Sequence, residues 1–294
     1  MERGFILSSQ RSRRHPTPGP FLKWVGGKRQ ILPALLAHRP TEFKAYHEPF
    51  AGGGALFFAL QRAGLLSTRR NSLTDVNAEL VGTYRAIQDD VEIVIKALEQ
   101  HRYDKKYFYK VRDWEPNDLD PAEQAARMIF LNRAGFNGLY RVNSKGKFNV
   151  PFGSYKNPRI CDHENLRAVH HALDGIKIPC ESFKRITARA KAGDFVYFDP
   201  PYVPVSDTAN FVSYAKNGFS MADQEELAET FAKLVNKGVF VLLSNSDTQP
   251  VRRMYADFRI ETVQASRMVN ARSDRRGPVT EVMVIGGYEP TPSS

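Results

Sequence analysis

The sequence predicts an α/β protein built on an open, mainly parallel sheet, and three stretches carry this prediction. The apolar run Phe195–Phe198 is typical of a buried strand, and the Asp-Pro-Pro-Tyr that follows at 199–202 cannot continue a sheet ladder. Residues 46–50 form a short strand that leads through the glycine-rich turn 52–54 into a helix, as in doubly wound folds. Another strand, at 73–75, ends in an acid. Ligands bind at the carboxyl ends of such strands, so we expect a site there.

Composition and charge narrow the class of protein. The 294 residues are 42% hydrophobic and 11% aromatic, enough for one large domain or two small ones with a sizeable core. Lys and Arg number 42 against 32 Asp and Glu, which gives a formal net charge of +10. A surplus of that size attracts polyanions, and nucleic acid is the first candidate, although many basic proteins bind none.

The sequence gives no sign of a metal site, a membrane segment or a signal peptide. Cys161 and Cys180 lack the spacing of metal ligands, so we expect free thiols in a reducing cytoplasm, with a disulfide as the alternative. No apolar run approaches the roughly 18 residues needed to span a bilayer. The apolar patch at residues 5–7 precedes its Arg cluster, the wrong order for a signal peptide. We therefore expect a cytoplasmic protein without metal or membrane segment.

An inserted helical block is predicted between the second strand and the middle of the chain. The chain begins with a basic, Pro-rich stretch, residues 1–20, which we expect to be a disordered arm that is solvated or adds phosphate contacts. A helix is expected at about 30–37. From 78 to about 135 the pattern is helical and interrupts the alternation of strands and helices, which predicts an inserted subdomain. The helical spacing is clearest at 80–87, 91–98 and 125–131.

A β-hairpin is predicted at residues 139–150, with its turn at 144–147. The hairpin is dense in Arg, Lys, Asn and aromatic residues. Those side chains contact phosphates, bind base edges and stack on bases. The alternative is a solvated hairpin whose charges are incidental.

The rest of the chain returns to the α/β pattern. In chain order we expect a helix at 164–173, a strand at 176–180, a short helix before Phe195, a capped helix at 220–235, a strand at 239–243, a mobile basic loop at 267–276, a last strand at 281–288 and a tail at 290–294.

The acid that follows the apolar run Phe195–Phe198 suits a particular chemical problem. An exocyclic amino group on a nucleobase is a poor nucleophile because its lone pair is delocalised into the ring. The Asp199 carboxylate and the Pro200 carbonyl could both accept its N–H groups and aim the lone pair at an electrophile. Tyr202 could stack on the base, which contributes about 1–3 kcal/mol for such pairs. A base in duplex DNA would have to flip out of the stack to reach this pocket.

Two glycine-rich turns point to a second ligand. Lys23 and Lys28 flank Gly26-Gly27, although the P-loop pattern is absent. Asp75 follows the turn at 52–54 by about 20 residues, the position from which an acid binds ribose hydroxyls. Phe57 stands where the dinucleotide fingerprint requires Gly or Ala, which counts against NAD or FAD. An ordinary loop before a helix remains the alternative.

The chain resembles the Dam-type DNA adenine-N6 methyltransferases of the D12 class, whose motifs run in the order cofactor, recognition domain, catalysis. The resemblance covers nearly everything from Phe21 to about Tyr288. It rests on Phe-Leu-Lys-Trp-x-Gly-Gly-Lys (21–28), Glu-Pro-Phe-x-Gly-x-Gly (48–54), Asp-Val-Asn (75–77), the stretch 132–153, Asp-Pro-Pro-Tyr (199–202) and Ser-Asn-x-Asp (244–247).

The resemblance implies a Rossmann-like sheet that binds S-adenosylmethionine and transfers its methyl group to N6 of adenine in double-stranded DNA. The implied catalytic residues are Asp199, Pro200, Pro201 and Tyr202. The implied cofactor-binding residues are Trp24, Lys28, Glu48, Pro49, Phe50, Gly52, Asp75, Val76, Phe183 and Asp199.

The hairpin matches the element with which this family recognises its target, usually GATC. The implied DNA-binding residues are Lys23, Asn137, Leu139, Arg141, Pro151 and Tyr155. An Arg that donates two hydrogen bonds to guanine O6 and N7 is the physical basis for specificity at Arg141. Phe136, Tyr140 and Val142 depart from the best-known members and leave the flanking-sequence preference open.

The domain division follows from these assignments. We predict a discontinuous catalytic domain at 21–77 and 162–289, with an inserted, mainly helical recognition domain at 78–161. Cytosine-N4 or RNA adenine methylation would use similar chemistry, and a non-catalytic DNA reader or a nicotinamide oxidoreductase belongs to another class. The intact Asp-Pro-Pro-Tyr disfavours the reader, and Phe57 disfavours the oxidoreductase. Chemistry at a single site suggests a monomer.

Overall fold

Six strands form a single mixed sheet in a computed structural model that describes residues 17–24, 26–28, 30–66, 70–203, 219–266 and 278–290. Their order in the sheet is β2-β1-β3-β4-β6-β5, where β1 to β4 are parallel and β6 runs antiparallel to both of its neighbours. The strands are β1 (Tyr46–Glu48), β2 (Ser72–Leu73), β3 (Phe195–Phe198), β4 (Phe240–Ser246), β5 (Arg259–Ser266) and β6 (Pro278–Gly286). The predicted α/β, Rossmann-like sheet is confirmed.

Strand β3 has the bounds that its apolar run predicts, and it is buried along its whole length. Phe195 and Tyr197 face one side of the sheet, and Val196 and Phe198 face the other, each within its own apolar cluster. A strand buried on both faces is a continuous apolar run because helices cover both sides of a parallel sheet.

Ten α-helices lie among the described residues, and six of them begin with a side-chain cap that the sequence encodes. Asn77, Asp90, Asp104 and Asp162 accept hydrogen bonds from backbone amides of the first turn, and Asp120 and Ser220 each form a reciprocal capping box. The helices are α1 (Leu32–Ala37), α2 (Ala55–Arg62), α3 (Ala78–Asp89), α4 (Val91–Glu99), α5 (Lys105–Arg112), α6 (Pro121–Ala134), α7 (His163–Ala172), α8 (Ile186–Arg189), α9 (Met221–Asn236) and α10 (Gln249–Met254).

The two faces of the sheet carry different sets of helices. Helices α8, α9 and α10 pack on one face. Helices α1 to α7 share a single apolar cluster with the other face, and that cluster continues through α6 into the hairpin at Phe148 and Val150. The division into a catalytic and a recognition domain stays a prediction, since the helical block and the sheet share this core.

The structure differs from the sequence prediction at two strands. The stretch 176–180 forms isolated parallel bridges to Ser72 and Asp75 rather than a full strand, because it lies at the edge of the sheet beside the short β2. Strand β5 was not predicted, since its sequence alternates only weakly and its place depends on eight residue pairs with β6. The arm at 1–16 and the loop at 267–276 lie outside the described residues. No helix in the described ranges is long and apolar enough to cross a membrane.

Candidate active site

The carboxyl edge of the sheet gathers side chains from four strands. Glu48 ends β1, Asp75 lies two residues beyond β2, Asp199 follows β3 directly, and Ser244 lies within β4. Because these strands are parallel and adjacent, residues separated by up to about two hundred positions meet at one edge. The antiparallel strand β6 adds Glu281, which pairs with Ser246.

Asp199 lies at the centre of this edge with two partners. Its Oδ1 is 2.7 Å from Nζ of Lys28 and accepts a hydrogen bond from Ser244 Oγ at 3.2 Å. The Lys28 side chain is only 6% exposed and Asp199 20%. Burial raises the pKa of Asp199 above its ordinary value, and the neighbouring Lys28 ammonium limits the rise. The carboxylate therefore has a charged N–H donor in place and a partly open side.

Tyr202 places an aromatic ring next to this carboxylate. The Lys28 Nζ lies 4.4 Å from the centre of the Tyr202 ring, and the Tyr202 hydroxyl donates to Glu281 Oε2 at 2.8 Å. Burial raises the pKa of Tyr202 well above its ordinary value, so the hydroxyl stays protonated. Lys28 thus lies where an N–H donor contacts both the carboxylate and the ring face.

A buried amide network fixes the Pro-Pro turn. Gln224 Nε2 donates to the Pro201 carbonyl at 2.8 Å, and Asn245 Nδ2 donates to Gln224 Oε1 at 3.1 Å. Among the described residues, nothing donates to the Pro200 carbonyl. The network orients the turn, and the role of the Pro200 carbonyl as an acceptor stays a prediction.

Glu48 is a buried carboxyl beside the centre of the site. It is 3% exposed and accepts a hydrogen bond from the Tyr46 hydroxyl at 2.7 Å. Burial raises the pKa of Glu48 to about 8, and the Asp199 charge adds to the rise, while hydrogen bonds from Tyr46 and from the Phe57 backbone oppose it. The group is therefore poised to titrate near neutral pH.

The glycine turn after β1 fits the cofactor that the family implies. Gly52 adopts φ +45°, and a Cβ there would lie 2.7 Å from Cδ1 of Trp24, so the indole packs directly on the turn. Asp75 accepts hydrogen bonds from the Gly52 and Asn77 backbone amides at 3.2 and 3.0 Å. Each oxygen retains a lone pair for a ribose hydroxyl, and the apolar Val76 beside it is 69% exposed.

Two aromatic residues of the implied cofactor-binding set form a stacked pair. Phe50 and Phe183 have ring centres 5.4 Å apart at 26°. Phe183 is only 5% exposed, whereas Phe50 is half-buried. Phe50 is therefore the ring of this pair that a ligand reaches first, and the assignment of Phe183 stays a prediction. Pro49 lies in the same turn.

The hairpin lies on the same side of the molecule as the amino-terminal loop. The bridge between Val142 and Phe148 and the hydrogen bond from Asn149 N to Arg141 O, 3.0 Å, define it. Buried Asn132 ties the hairpin base to the loop, since its Nδ2 donates to the carbonyls of Lys23 and Gly138 at 2.8 and 2.9 Å.

The predicted DNA-binding residues surround this junction. Lys23 Nζ lies 4.6 Å from the centre of the Tyr155 ring, and Asn137 adopts φ +54°, a left-handed conformation that presents its exposed side chain. Arg141 is exposed and donates to Asn149 Oδ1 and O at 2.7 and 3.2 Å. Leu139 is half-buried and Pro151 exposed, which completes the set.

The sequence analysis did not single out several residues of the site. Ser244 was seen only as part of a motif, and Glu281 and Gln224 carried no signal, because each acts through a partner far away in the chain. Tyr140, noted only as a departure, stacks on Trp24 with ring centres 5.3 Å apart at 20°. Among the described residues, no group of three or more His, Cys, Asp or Glu could hold a metal ion.

Comparison with known proteins shows the family of the chain. Residues 24–269 match the family model of the D12 class N6 adenine-specific DNA methyltransferases. The chain is 43% identical to the type II methyltransferase M1.LlaDCHI of Lactococcus lactis subsp. cremoris, over 90% of this chain and 94% of that protein. It is 41% identical to the type II methyltransferase M.MjaIII of Methanocaldococcus jannaschii, over 92% and 99%. It is 33% identical to the DNA adenine methylase of Escherichia coli K12, over 92% and 95%.

Among solved structures, the chain is similar to the rRNA methyltransferase AviRa of Streptomyces viridochromogenes, with 13% identity and a TM-score of 0.36, over 87% of this chain and 82% of that one. That likeness is too weak to carry an argument.

The family match and the two type II relatives show that the chain is a methyltransferase. More particularly, the chain belongs to the D12 class of N6 adenine-specific DNA methyltransferases. Its substrate is DNA, and enzymes of this kind take their methyl group from S-adenosylmethionine.

Proposed function

We propose that the protein methylates N6 of adenine within GATC in double-stranded DNA, after the target adenine flips into a pocket formed by Asp199, Pro200 and Tyr202. The proposal also includes action as a monomer, because one chain carries both the catalytic edge and the hairpin, and action on DNA in the cytoplasm.

The observation that carries this proposal is the position of the Lys28 ammonium. It donates to Asp199 at 2.7 Å and lies 4.4 Å from the centre of the Tyr202 ring. An adenine stacked on Tyr202 would place its amino group in the same relation to the carboxylate, so Lys28 has to move aside when the base enters. The Pro200 carbonyl is then the second acceptor for the amino group.

The chain contributes positioning and electrostatics to the reaction. When bound, S-adenosylmethionine supplies an electrophilic methyl group on a sulfonium. Asp199 and the Pro200 carbonyl accept the two N6 hydrogens, which concentrates the lone pair on nitrogen and directs it away from both acceptors. As the new N–C bond forms, the methyl C–S bond of the donor would break and leave S-adenosylhomocysteine, and N6 would lose one proton, which the Asp199 carboxylate at the pocket could accept. Tyr202 offsets part of the cost of flipping the base.

Three elements support a cofactor site beside this pocket. Trp24 covers the glycine turn at Gly52, and Asp75 presents a carboxylate suited to ribose hydroxyls. Glu48 and the amino end of α2 lie between that carboxylate and Asp199 in the sheet order. These residues would hold the methyl donor at the same edge as the base.

A sequencing experiment tests the proposal. Genomic DNA without adenine methylation is incubated with the purified full-length chain and S-adenosylmethionine, and modified bases are mapped by single-molecule sequencing. We expect N6-methyladenine at GATC sites. Methylation at another sequence would refute the GATC assignment, and cytosine methylation would refute the adenine pocket. An Asp199→Ala sample shows the background.

A further inference from the structure

We propose that Tyr140 is a positioning residue that couples recognition of DNA by the hairpin to binding of the cofactor at the sheet edge. The inference rests on the proposed function of both elements. Tyr140 lies next to Arg141 in the first half of the hairpin, two residues before the bridge at Val142. Its ring contacts Trp24 of the predicted cofactor site, and its hydroxyl contacts the helix that follows the predicted ribose-binding acid.

The ring of Tyr140 contacts Trp24, a predicted cofactor-binding residue. It stacks on Trp24, with ring centres 5.3 Å apart and planes at 20°, and meets Phe148 edge-on at 5.9 Å. Trp24 in turn packs on Gly52, where a Cβ would lie 2.7 Å from its ring. Any tilt of the Tyr140 ring therefore changes how the indole covers the glycine turn.

The hydroxyl of Tyr140 contacts the first turn of α3, the helix that follows Asp75. It donates to Glu79 Oε2 at 2.8 Å, and Arg127 Nη1 donates to Glu79 Oε1 at 2.8 Å. Arg127 is 3% exposed and is itself fixed by hydrogen bonds to the carbonyls of Val111 and Arg112. Glu79 lies in the first turn of α3, four residues after Asp75. The hairpin is thus tied to the segment that carries the predicted ribose-binding acid.

Such coupling requires two states, and Arg141 can adopt both: one bound to Asn149 and one bound to a guanine edge. In this structure its guanidinium is bound to Asn149, and it has to leave Asn149 to reach a guanine edge. Arg141 and Tyr140 share a peptide bond, so a change in the strand at Arg141 is transmitted to the contacts with Trp24 and Glu79. Cofactor affinity and DNA affinity then depend on the same contacts and must affect each other equally.

The test measures the coupling as the ratio of two dissociation constants for S-adenosylhomocysteine, which cannot react. Calorimetry gives its Kd for the full-length chain alone and for the chain saturated with a duplex that contains the sequence the wild type methylates. We expect a change in Kd of about fivefold or more in the wild type, within the usual range of coupling between sites. Tyr140→Leu should bring the ratio close to 1, and Tyr140→Phe, which keeps the stack but loses the Glu79 bond, should give an intermediate ratio.

A matched control and a spectroscopic readout separate coupling from general damage. Tyr255→Phe also deletes a buried tyrosine hydroxyl, one without a hydrogen-bond partner among the described residues, and should leave the ratio unchanged. The chain has two tryptophans, so Trp114→Phe leaves Trp24 as the single indole emitter. In that background the cognate duplex should change the Trp24 emission, and Tyr140→Leu should abolish the change.

The outcomes distinguish this inference from the proposed function. The coupling role would be overturned if the ratio in the wild type were near 1. It would also be overturned if Tyr140→Leu kept the wild-type ratio, including the case in which the variant binds both S-adenosylhomocysteine and the duplex more weakly. Failure of the wild type to methylate GATC would instead refute the proposed target. Coupling is measured with whichever duplex the wild type methylates, so either result stands without the other.

Discussion

The catalytic edge and the recognition hairpin solve opposite problems with charged side chains. At the edge, Asp199, Lys28 and Glu48 are largely buried. Lys28 and Ser244, from distant parts of the chain, hold Asp199, and Tyr46 of the same strand holds Glu48. On the hairpin, Arg141 is exposed and is held by Asn149 within the same hairpin. Buried charges act at fixed positions in a medium that screens them little, whereas exposed charges remain free to exchange one partner for another. Chemistry needs the first arrangement and sequence discrimination needs the second.

Removing the central carboxylate should break the catalytic edge alone, and it is the largest effect we expect. Asp199→Ala should lower kcat by about a hundredfold to a thousandfold, because removal of one positioned electrostatic group from an active site typically costs that much. The hairpin is untouched, so binding of a GATC duplex should change little. Single-turnover methylation and a gel-shift titration measure the two quantities. Asp113→Ala, at a carboxylate 75% exposed, is the control, and full activity in Asp199→Ala would contradict the assignment.

The buried carboxyl beside Asp199 should make stability depend on pH. The pKa of Glu48 is raised to about 8 from an ordinary 4.5, so the folded chain holds a proton that the unfolded chain releases. The contribution of protonated Glu48 to the free energy of unfolding is therefore complete below about pH 4.5 and is lost as the pH rises through about 8. Between these values the free energy of unfolding falls by up to about 1.4 kcal/mol per pH unit.

Replacing Glu48 by the uncharged glutamine should remove this pH dependence of stability. Urea denaturation at about pH 6 and about pH 8 gives the free energy of unfolding of the wild type and of Glu48→Gln. The wild type should lose about 2 to 3 kcal/mol more of its free energy of unfolding than the variant between these pH values. Parallel stability profiles would contradict the buried, protonated state.

Truncating the exposed arginine should break discrimination and spare the chemistry. Arg141→Ala should cost about 1–3 kcal/mol of preference for one guanine of the target. Competition between GATC and singly substituted duplexes measures the preference, and Arg159→Ala, 71% exposed and paired with Asp162, serves as the control. Equal weakening on every sequence would make Arg141 a phosphate contact instead.

Deleting one hydroxyl at the catalytic edge should have the smallest effect. Tyr202→Phe keeps the ring that stacks on the base but loses the hydrogen bond to Glu281. We expect a fall in kcat/KM that corresponds to about 0.5–1.5 kcal/mol, the usual net worth of such a bond. Tyr202→Ala, which loses the ring as well, is the comparison. If the two variants were equally impaired, the hydroxyl rather than the ring would be the essential group.

Sequence reasoning succeeded where the signal is local. The apolar run at Phe195–Phe198, the capping box at Ser220 and the turn of the hairpin each specify their own conformation over a few residues. It failed at β5, whose weak alternation becomes a strand only through its pairing with β6. At 176–180 the apolar pattern predicts a strand, but the stretch forms only isolated bridges because its neighbour β2 is two residues long.

The sequence by itself determined the Rossmann-like sheet, the family and the acids Asp75 and Asp199 after two of the parallel strands, because strand period, proline and glycine act through the local backbone. Only the tertiary structure decided which groups complete the site. Lys28 on Asp199, Glu281 on Tyr202 and Tyr140 on Trp24 join residues 171, 79 and 116 positions apart in the chain, by subtraction of their residue numbers. No pattern within one segment encodes such pairs, since their geometry is set by how the sheet, the hairpin and the amino-terminal loop pack together.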